Sequence, residues 1–403
     1  MKEYQKGVVM MRLRSFRFLW IGQACANTGD VLYIVALIAI LYQSTESALY
    51  LSLLPFTITL ARFISGMGAP LMLSHFALKG MLVWSQGLKT IVLGILGASF
   101  LLYVPELEVV FMLAFIIAFL DGWAAPARNA MLPMIVKESE LTQANSFVAV
   151  VDQSIQFGGW AVGGIIVAFT SGSFVIWLTF GLYCISTFIM AMIENAIKDQ
   201  KRKRKIPLLS GWQTIWKHPI LRTVHIMIFL ESIANVVWIA AILYIFVSDV
   251  LQKSEAWWGY LNASFFFGLI AGGLIVSKYT RLFEKHMKLI LLTTSFVVSG
   301  VTMLFGSIQI ALLALALTLV SGIVEQVKSI AIVTFIQKSC PKDALPEVFS
   351  AQSALISITF GCGTLLVGFL AEVVSIPFVF AFSGILLLSS ALYMWKYHRH
   401  FQL

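Results

Sequence analysis

The chain has 403 residues, 59% of them hydrophobic and only 12% charged, with 28 Lys+Arg against 19 Asp+Glu for a formal net charge of +9; its mean hydropathy is +0.90. Soluble proteins carry about 25% charged residues, so this composition excludes a water-soluble globular protein. It points to a polytopic membrane protein.

Apolar runs separated by polar breaks mark twelve expected spans, at 16–42, 48–71, 81–104, 109–131, 143–170, 174–194, 221–247, 256–278, 288–306, 310–337, 348–373 and 377–396. Each is near the roughly 20 residues that cross a bilayer as a helix. All twelve are expected to be helical, because an isolated strand cannot satisfy its backbone in lipid. The alternation of a transmembrane barrel is absent as well.

Span 1 carries Asp30 beside Gly29. Ala24-Cys25-Ala26 loosely resembles a leader-cleavage site, but the helix pattern resumes at Val31, so no cleaved leader is expected. Span 2 carries Arg62 and span 3 carries Lys89. Span 4 runs VVFMLAFIIAFL (109–120) and then meets Asp121, Pro126 and Arg128. Asp121 and Arg128 are seven residues apart, hence on one face and about 10.5 Å apart along a helix axis. Arg128 lies near the end of the span and can snorkel to water. Asp121 cannot, so it needs a polar cavity. Pro126 is expected to loosen the last turns.

Span 5 carries Asp152 and Gly159-x-x-x-Gly163, and span 8 carries Gly268-x-x-x-Gly272. Both spacings let helices approach closely. Span 7 contributes Glu231, and span 10 contributes Glu325 and Lys328, three residues apart on one face. Spans 6 and 12 have charge-free cores. Trp20, Trp257, Trp258 and Trp395 are expected as interfacial anchors. Cys25, Cys184, Cys340 and Cys362 lack metal or redox spacing and read as packing residues. No metal and no cofactor are expected.

Basic residues concentrate on one side: Lys2, Lys6, Arg12, Arg14 and Arg17, then KDQKRKRK (198–205), then Lys278, Arg281, Lys285 and Lys288, then Lys396 and Arg399. The opposite loops carry Glu46, Glu106, Glu108, Asp249 and Glu255, with Lys253 as their base. The positive-inside rule then puts both termini in the cytoplasm. It also accounts for the net charge without a nucleic-acid partner.

The longest polar segment, 195–220, divides the chain into an N-terminal six-helix half (1–194), a cytoplasmic basic linker (195–220) and a C-terminal six-helix half (221–403). An offset of 204 carries Leu141 onto Leu345, Ser146 onto Ser350 and Asp121 onto Glu325. Two six-helix halves related by an axis along the membrane normal are a known transporter plan. Asp30, Asp121, Glu231 and Glu325 lie on every third span, with Asp152 the exception. An ionisable group at the centre of a span costs about 2.5–3.5 kcal/mol on insertion scales. These four acids are therefore expected to face a central aqueous cavity, as proton-coupling or substrate-cavity residues. Arg62, Lys89, Asp152, Lys328 and Arg128 are expected as charge partners or gating residues. Asp121 has no base within a turn of its own helix and is expected to carry the proton. Glu325, with Lys328 on its face, is expected to be the structural or gating partner.

Several phrases resemble the major facilitator superfamily, in the branch of macrolide-efflux-like and enterobactin-exporter-like drug:proton antiporters. They are FRFLWIGQACANTGDVLYIVAL (16–37), Pro126-Ala127, Leu132-Pro133, Ala144-Asn145-Ser146 and His218-Pro219-Ile220-Leu221-Arg222. The chain departs from that pattern between spans 2 and 3. Ser74 and His75 stand where the superfamily usually has Asp-Arg, and only Lys79 remains basic. In span 3, Gln86 and Lys89 stand where branch members often have Asp and Arg. Gly159-Trp160 replaces a Gly-Pro, and Pro346-Glu347 replaces a Gly-Arg.

The resemblance implies a twelve-helix transporter of the bacterial inner membrane, acting as a monomer. Its implied activity is export of a moderately hydrophobic small molecule, drug or macrolide-like, by proton-coupled alternating access. The same fold would also serve a siderophore or peptide-antibiotic exporter, a lipid flippase or an uptake carrier. An integral-membrane enzyme or receptor fits less well. His75, His218, His225, His286, His398 and His400 scatter without forming a site, and no GxxxxGK[ST] loop is present.

Overall fold

The computed structural model describes residues 14–45, 48–102, 106–194, 207, 209–238, 240–254 and 256–398. Lys2, Lys6, Arg12, Glu46, the 198–205 cluster, Glu255, Arg399 and His400 lie outside the described residues, as do the side chains of Ser74 and His75. Among the described residues the regular elements are all helical. In chain order they are α1 (Arg14–Thr45), α2 (Ala48–His75), α3 (Leu78–Leu102), α4 (Leu107–Asp121), α5 (Ala124–Ile135), α6 (Leu141–Phe169), α7 (Gly172–Ala191) and α8 (Ser210–Lys217). There follow α9 (Pro219–Ala234), α10 (Ala240–Ile245), α11 (Ala256–Lys278), α12 (Thr280–Lys285), α13 (Met287–Gly306), α14 (Ala311–Ser339), α15 (Leu345–Val373) and α16 (Ile376–Lys396).

Among the described residues, ten stretches are long and apolar enough to cross a bilayer, with α4 and α5 counted together. The shorter apolar core Leu53–Ala69 of α2 and the 29-residue α6 complete the twelve-span, all-α membrane architecture.

The helices are inside-out relative to those of a soluble protein. On α3, Trp84, Leu88, Ile91 and Ile95 are exposed, whereas Ser85, Gln86, Lys89 and Thr90 are buried. On α14, Leu312, Leu319 and Val320 face out, whereas Thr318, Ser321, Gln326 and Lys328 are buried. Lipid is as apolar as leucine, so burial is driven by packing and hydrogen bonds rather than by hiding apolar surface. The sequence reading of the cysteines needs correction on this point. Cys340 is buried and Cys25 half-buried, but Cys184 and Cys362 are exposed.

Two expected spans are interrupted. Span 4 breaks after Asp121, and the chain turns through Gly122 and Trp123 before α5 begins. Pro126 lacks an N–H, and its ring would collide with the carbonyl four residues back, which is that of Gly122. The break is tied down from α2. Trp123 Nε1 donates to the Ser65 carbonyl at 3.2 Å, and a Cβ on Gly122 would come within 2.5 Å of Ser65 Oγ. Span 7 leaves the α-helix at Asn235, tightens into a 3₁₀ turn over Asn235–Trp238, and ends in a π turn at Phe246–Val250. Asn competes for nearby backbone groups and the Val pair disfavours continued helix. The aromatic rings of Trp238, Phe246, Phe305 and Phe380 pack around this break, with neighbouring centroids 4.5–5.6 Å apart.

The chain divides into two compact units. The first comprises Met1–Glu140, Ser154–Trp212 and Lys342–Ser357; the second comprises Leu141–Gln153, Gln213–Pro341 and Ile358–Leu403. Each unit is thus built on one sequence half but includes the opening segment of a long helix from the other half.

In the first unit, Gly159 and Gly163 lie against Val31 and Leu32 of α1, where added Cβ atoms would stand 3.0 and 3.1 Å from those side chains. In the second unit, α11 and α14 are in backbone contact. A Cβ on Gly268 would collide with the Leu319 carbonyl, and one on Gly272 would stand 2.5 Å from that of Ile323.

Candidate functional site

Each unit holds a buried lysine between two carboxylates. In the first unit the lysine is Lys89, on the inward face of α3. Its Nζ donates to Asp30 Oδ1 at 2.7 Å and to Asp121 Oδ1 at 2.8 Å. Its side chain is 1% exposed, against 12% for Asp30 and 17% for Asp121. Arg62 of α2 donates from Nη2 to the other oxygen of Asp121 at 2.9 Å. Tyr183 of α7 donates its hydroxyl to Asp30 Oδ1, and its ring faces Lys89 Nζ at 4.9 Å from the centroid.

Local sequence explains the fit. Gly29 leaves room for the Tyr183 ring, since a Cβ there would stand 2.5 Å from Tyr183 Cε1. Asp121 is the last residue of α4, where the helix dipole disfavours a negative charge. Lys89 and Arg62 offset that cost. With two carboxylates and two bases, the first cluster is balanced in charge.

In the second unit the lysine is Lys328 of α14. Its Nζ lies 3.1 Å from Glu231 Oε2 on α9 and 3.1 Å from Glu325 Oε2 one turn earlier on α14. Lys328 is 1% exposed, Glu231 7% and Glu325 29%. Ser390 of α16 donates to Glu231 Oε1 at 3.0 Å. Lys328 is thus the shared counterion of both glutamates, at distances longer than those of Lys89 to its carboxylates.

The two clusters share a recipe: an acid from the first span of a half, an acid from its fourth span, a hydroxyl from its sixth span, and one lysine. They differ in the source of the lysine, from the third span in one and the fourth in the other. Only the first cluster has an arginine.

The sequence-predicted residues therefore separate. Asp30, Asp121, Arg62 and Lys89 come together in one unit, and Glu231, Glu325 and Lys328 in the other. Arg128 stands half-buried on α5 and Asp152 on the part of α6 that belongs to the second unit, outside both clusters. The reading of Asp121 as an acid without a base considered only its own helix. Neighbouring helices supply it with two. Tyr183 and Ser390 were not found from sequence. Each lies in the charge-free core of its span, and the available signal was a hydroxyl in the middle of an apolar helix, where a polar group needs a partner.

A family model described as "Major Facilitator Superfamily" matches residues 19–345. The chain is 28% identical over 380 residues to "Uncharacterized MFS-type transporter YfmI" of Bacillus subtilis (strain 168), covering 92% of this chain and 93% of the relative. It is 25% identical over 356 residues to YjbB, another MFS-type transporter of that organism, covering 88% of each. Among solved structures, a bacterial homologue of the iron transporter ferroportin in an outward-facing state aligns with a TM-score of 0.77 at 14% identity, covering 96% of this chain and 99% of that one. The E. coli fucose:proton symporter aligns with a TM-score of 0.72 at 12% identity, covering 98% and 99%. At these identities the likeness shows the fold alone.

Proposed function

The chain belongs to the major facilitator superfamily, a family of multi-pass membrane transporters for small molecules, and on that premise we propose that it is a proton-coupled exporter of moderately hydrophobic compounds. The observation that carries this reading is the pair of buried lysine–dicarboxylate clusters. Neutral packing at the same positions would cost less than buried ion pairs, which are often no more stable than apolar replacements. Charges kept inside membrane spans mark ion or substrate paths. Export of drug-like or macrolide-like cargo rests on the resemblance of 16–37 and of the segments around Pro126 and Asn145. The bacterial inner membrane with cytoplasmic termini, and action as a monomer, belong to the same proposal.

In this cycle a carboxylate takes a proton from the outer side as cargo leaves. It gives the proton up on the inner side as the carrier resets. Burial and the nearness of a lysine both change the proton affinity of a carboxyl, so a movement that alters either one exchanges proton for cargo.

The test uses everted membrane vesicles energised with a proton gradient. Addition of ethidium or erythromycin should collapse the gradient, as read by a pH-sensitive acridine dye, and cells expressing the protein should expel ethidium until an uncoupler is added. Dye expulsion unaffected by the uncoupler would remove proton coupling from the reading. Accumulation in place of expulsion would assign uptake.

A further inference from the structure

We propose that the transported proton binds at the Glu231–Lys328–Glu325 cluster and not at the Asp30–Lys89–Asp121 cluster, one proton per cycle. This rests on the proton-coupled reading above and names its site.

The first argument is a count of charges. In the first cluster Lys89 and Arg62 match Asp30 and Asp121 one for one. In the second cluster Glu231 and Glu325 share Lys328 alone. The electrostatic partners of Glu231 are Lys328 and Glu325, with Ser390 as its hydroxyl donor. The helices packed around the cluster carry their other charged or titratable groups elsewhere. Lys278 ends α11, Lys288 begins α13, Lys338 closes α14, and Tyr393 and Lys396 stand in the last turns of α16. Arg222 is in the first turn of α9, and His225 turns its Nδ1 to the Leu221 carbonyl at 2.7 Å. With both glutamates ionised the cluster is one negative charge in excess. An uncompensated buried charge costs several kcal/mol, and one proton removes it.

The second argument is geometry. Lys89 directs hydrogen bonds onto both of its carboxylates at 2.7 and 2.8 Å, and Tyr183 and Arg62 occupy further oxygen positions. Lys328 is as deeply buried, but it stands farther from its carboxylates, 3.1 Å from each glutamate. Glu325 is the exposed member, at 29%, so water reaches it first. The step is simple. A proton from water forms an O–H bond on a glutamate oxygen of the cluster, the cluster becomes neutral, and the same bond breaks when the proton leaves to water on the other side.

Infrared difference spectra of the purified full-length protein, between about pH 5 and about pH 9, should show a titrating carboxylic-acid C=O band above that of the surface carboxyls, most of which titrate near pH 4. Glu325→Gln should abolish the band. So should Glu231→Gln, because either change balances the cluster. Glu325→Asp should keep the band at a displaced frequency, which guards against a folding artefact. Asp30→Asn and Asp121→Asn should leave it in place. A band that survives Glu325→Gln and disappears in Asp30→Asn or Asp121→Asn would move the site to the first unit and overturn this assignment, while the proton-coupled reading stands. A wild type with drug-driven proton flux but no titrating band would also overturn the assignment alone. Absence of drug-driven flux would overturn both.

Discussion

Lys89→Met isolates what the first cluster contributes. The lysine is 1% exposed and is the only base in contact with Asp30 among the described residues, whereas Asp121 also has Arg62. Methionine fills most of the volume and removes the charge. Asp30 is then left with a single donor, the hydroxyl of Tyr183. Breaking a buried pair by deleting one partner costs about 3–5 kcal/mol, because the remaining charge is stranded. For a cooperative unit of roughly 200 residues, 1 kcal/mol corresponds to about 2–4 °C in Tm, so the variant should melt about 6–20 °C lower. Asp30→Asn should cost far less, since Lys89 keeps Asp121 and an amide oxygen can still accept from Tyr183. The double variant Lys89→Met/Asp30→Asn should recover much of the loss, with a coupling energy of about 1–3 kcal/mol. The assay is thermal unfolding of the detergent-purified protein, followed by a thiol-reactive dye or by loss of the monodisperse peak. If the double variant melts as low as the sum of the two single changes requires, Lys89 is not the shared counterion, and the reasoning fails.

Three further outcomes are expected. A cysteine replacing exposed Lys253 should react with an impermeant maleimide in intact cells, and one replacing exposed Lys285 only after permeabilisation; labelling of both from one side refutes the proposed topology. Gly268→Leu and Gly322→Val each drive a side chain into facing backbone, the carbonyls of Leu319 and Phe265, and should cut the yield of monodisperse protein several-fold, with normal yield refuting the backbone contact of α11 and α14. Asn145→Leu removes the donor to Thr334 Oγ1 at 3.0 Å and Gln337 Oε1 at 2.7 Å. It should destabilise the protein by about 1–3 kcal/mol, the penalty for buried polar groups left unsatisfied, and an unchanged Tm would refute the Asn145 contacts.

The architecture was legible because lipid imposes a length on each span, and apolar runs of that length are hard to hide. The breaks inside spans 4 and 7 were not legible as breaks. Pro126 signalled one, but it placed the disturbance in the last turns, whereas the helix yields at Gly122, four residues earlier. In span 7 nothing stronger than Asn235 and two valines marked the change, and the packing of Trp238 against Phe305 and Phe380 comes from distant parts of the chain. The acids and bases of the site could be found as intramembrane charges. Their pairing could not be assigned, apart from Glu325 with Lys328, because only that pair shares a helix. Lys89 with Asp30 and Lys328 with Glu231 join residues on different spans, and spacing along one helix carries no information about them.

The offset of 204 reaches further than its few matched residues. It carries 141–153 onto 345–357, which lies within 342–357, and these are the helix openings that each count with the unit built on the other half. Both are rich in small and polar residues. In the second unit, Thr142 donates to Glu284 at 2.6 Å, Lys338 reaches the same carboxylate at 3.2 Å, and Asn145 bonds to Thr334 and Gln337. In the first unit, Gly66 meets the backbone of Ala354 and Gly211 meets the carbonyl of Glu347. A hydrogen bond between membrane helices contributes only about 0.6 kcal/mol on average. Contacts of this kind hold a segment in register. The large apolar side chains are placed differently. The cluster around Leu37, Leu41, Leu54 and Leu93 belongs wholly to the first unit, and that around Phe246, Phe305 and Phe380 wholly to the second. Each unit therefore keeps its large apolar cluster in its own sequence half, and the borrowed helix openings add buried Leu141 in one unit and Leu345, Val348 and Phe349 in the other to their small-residue contacts and hydrogen bonds.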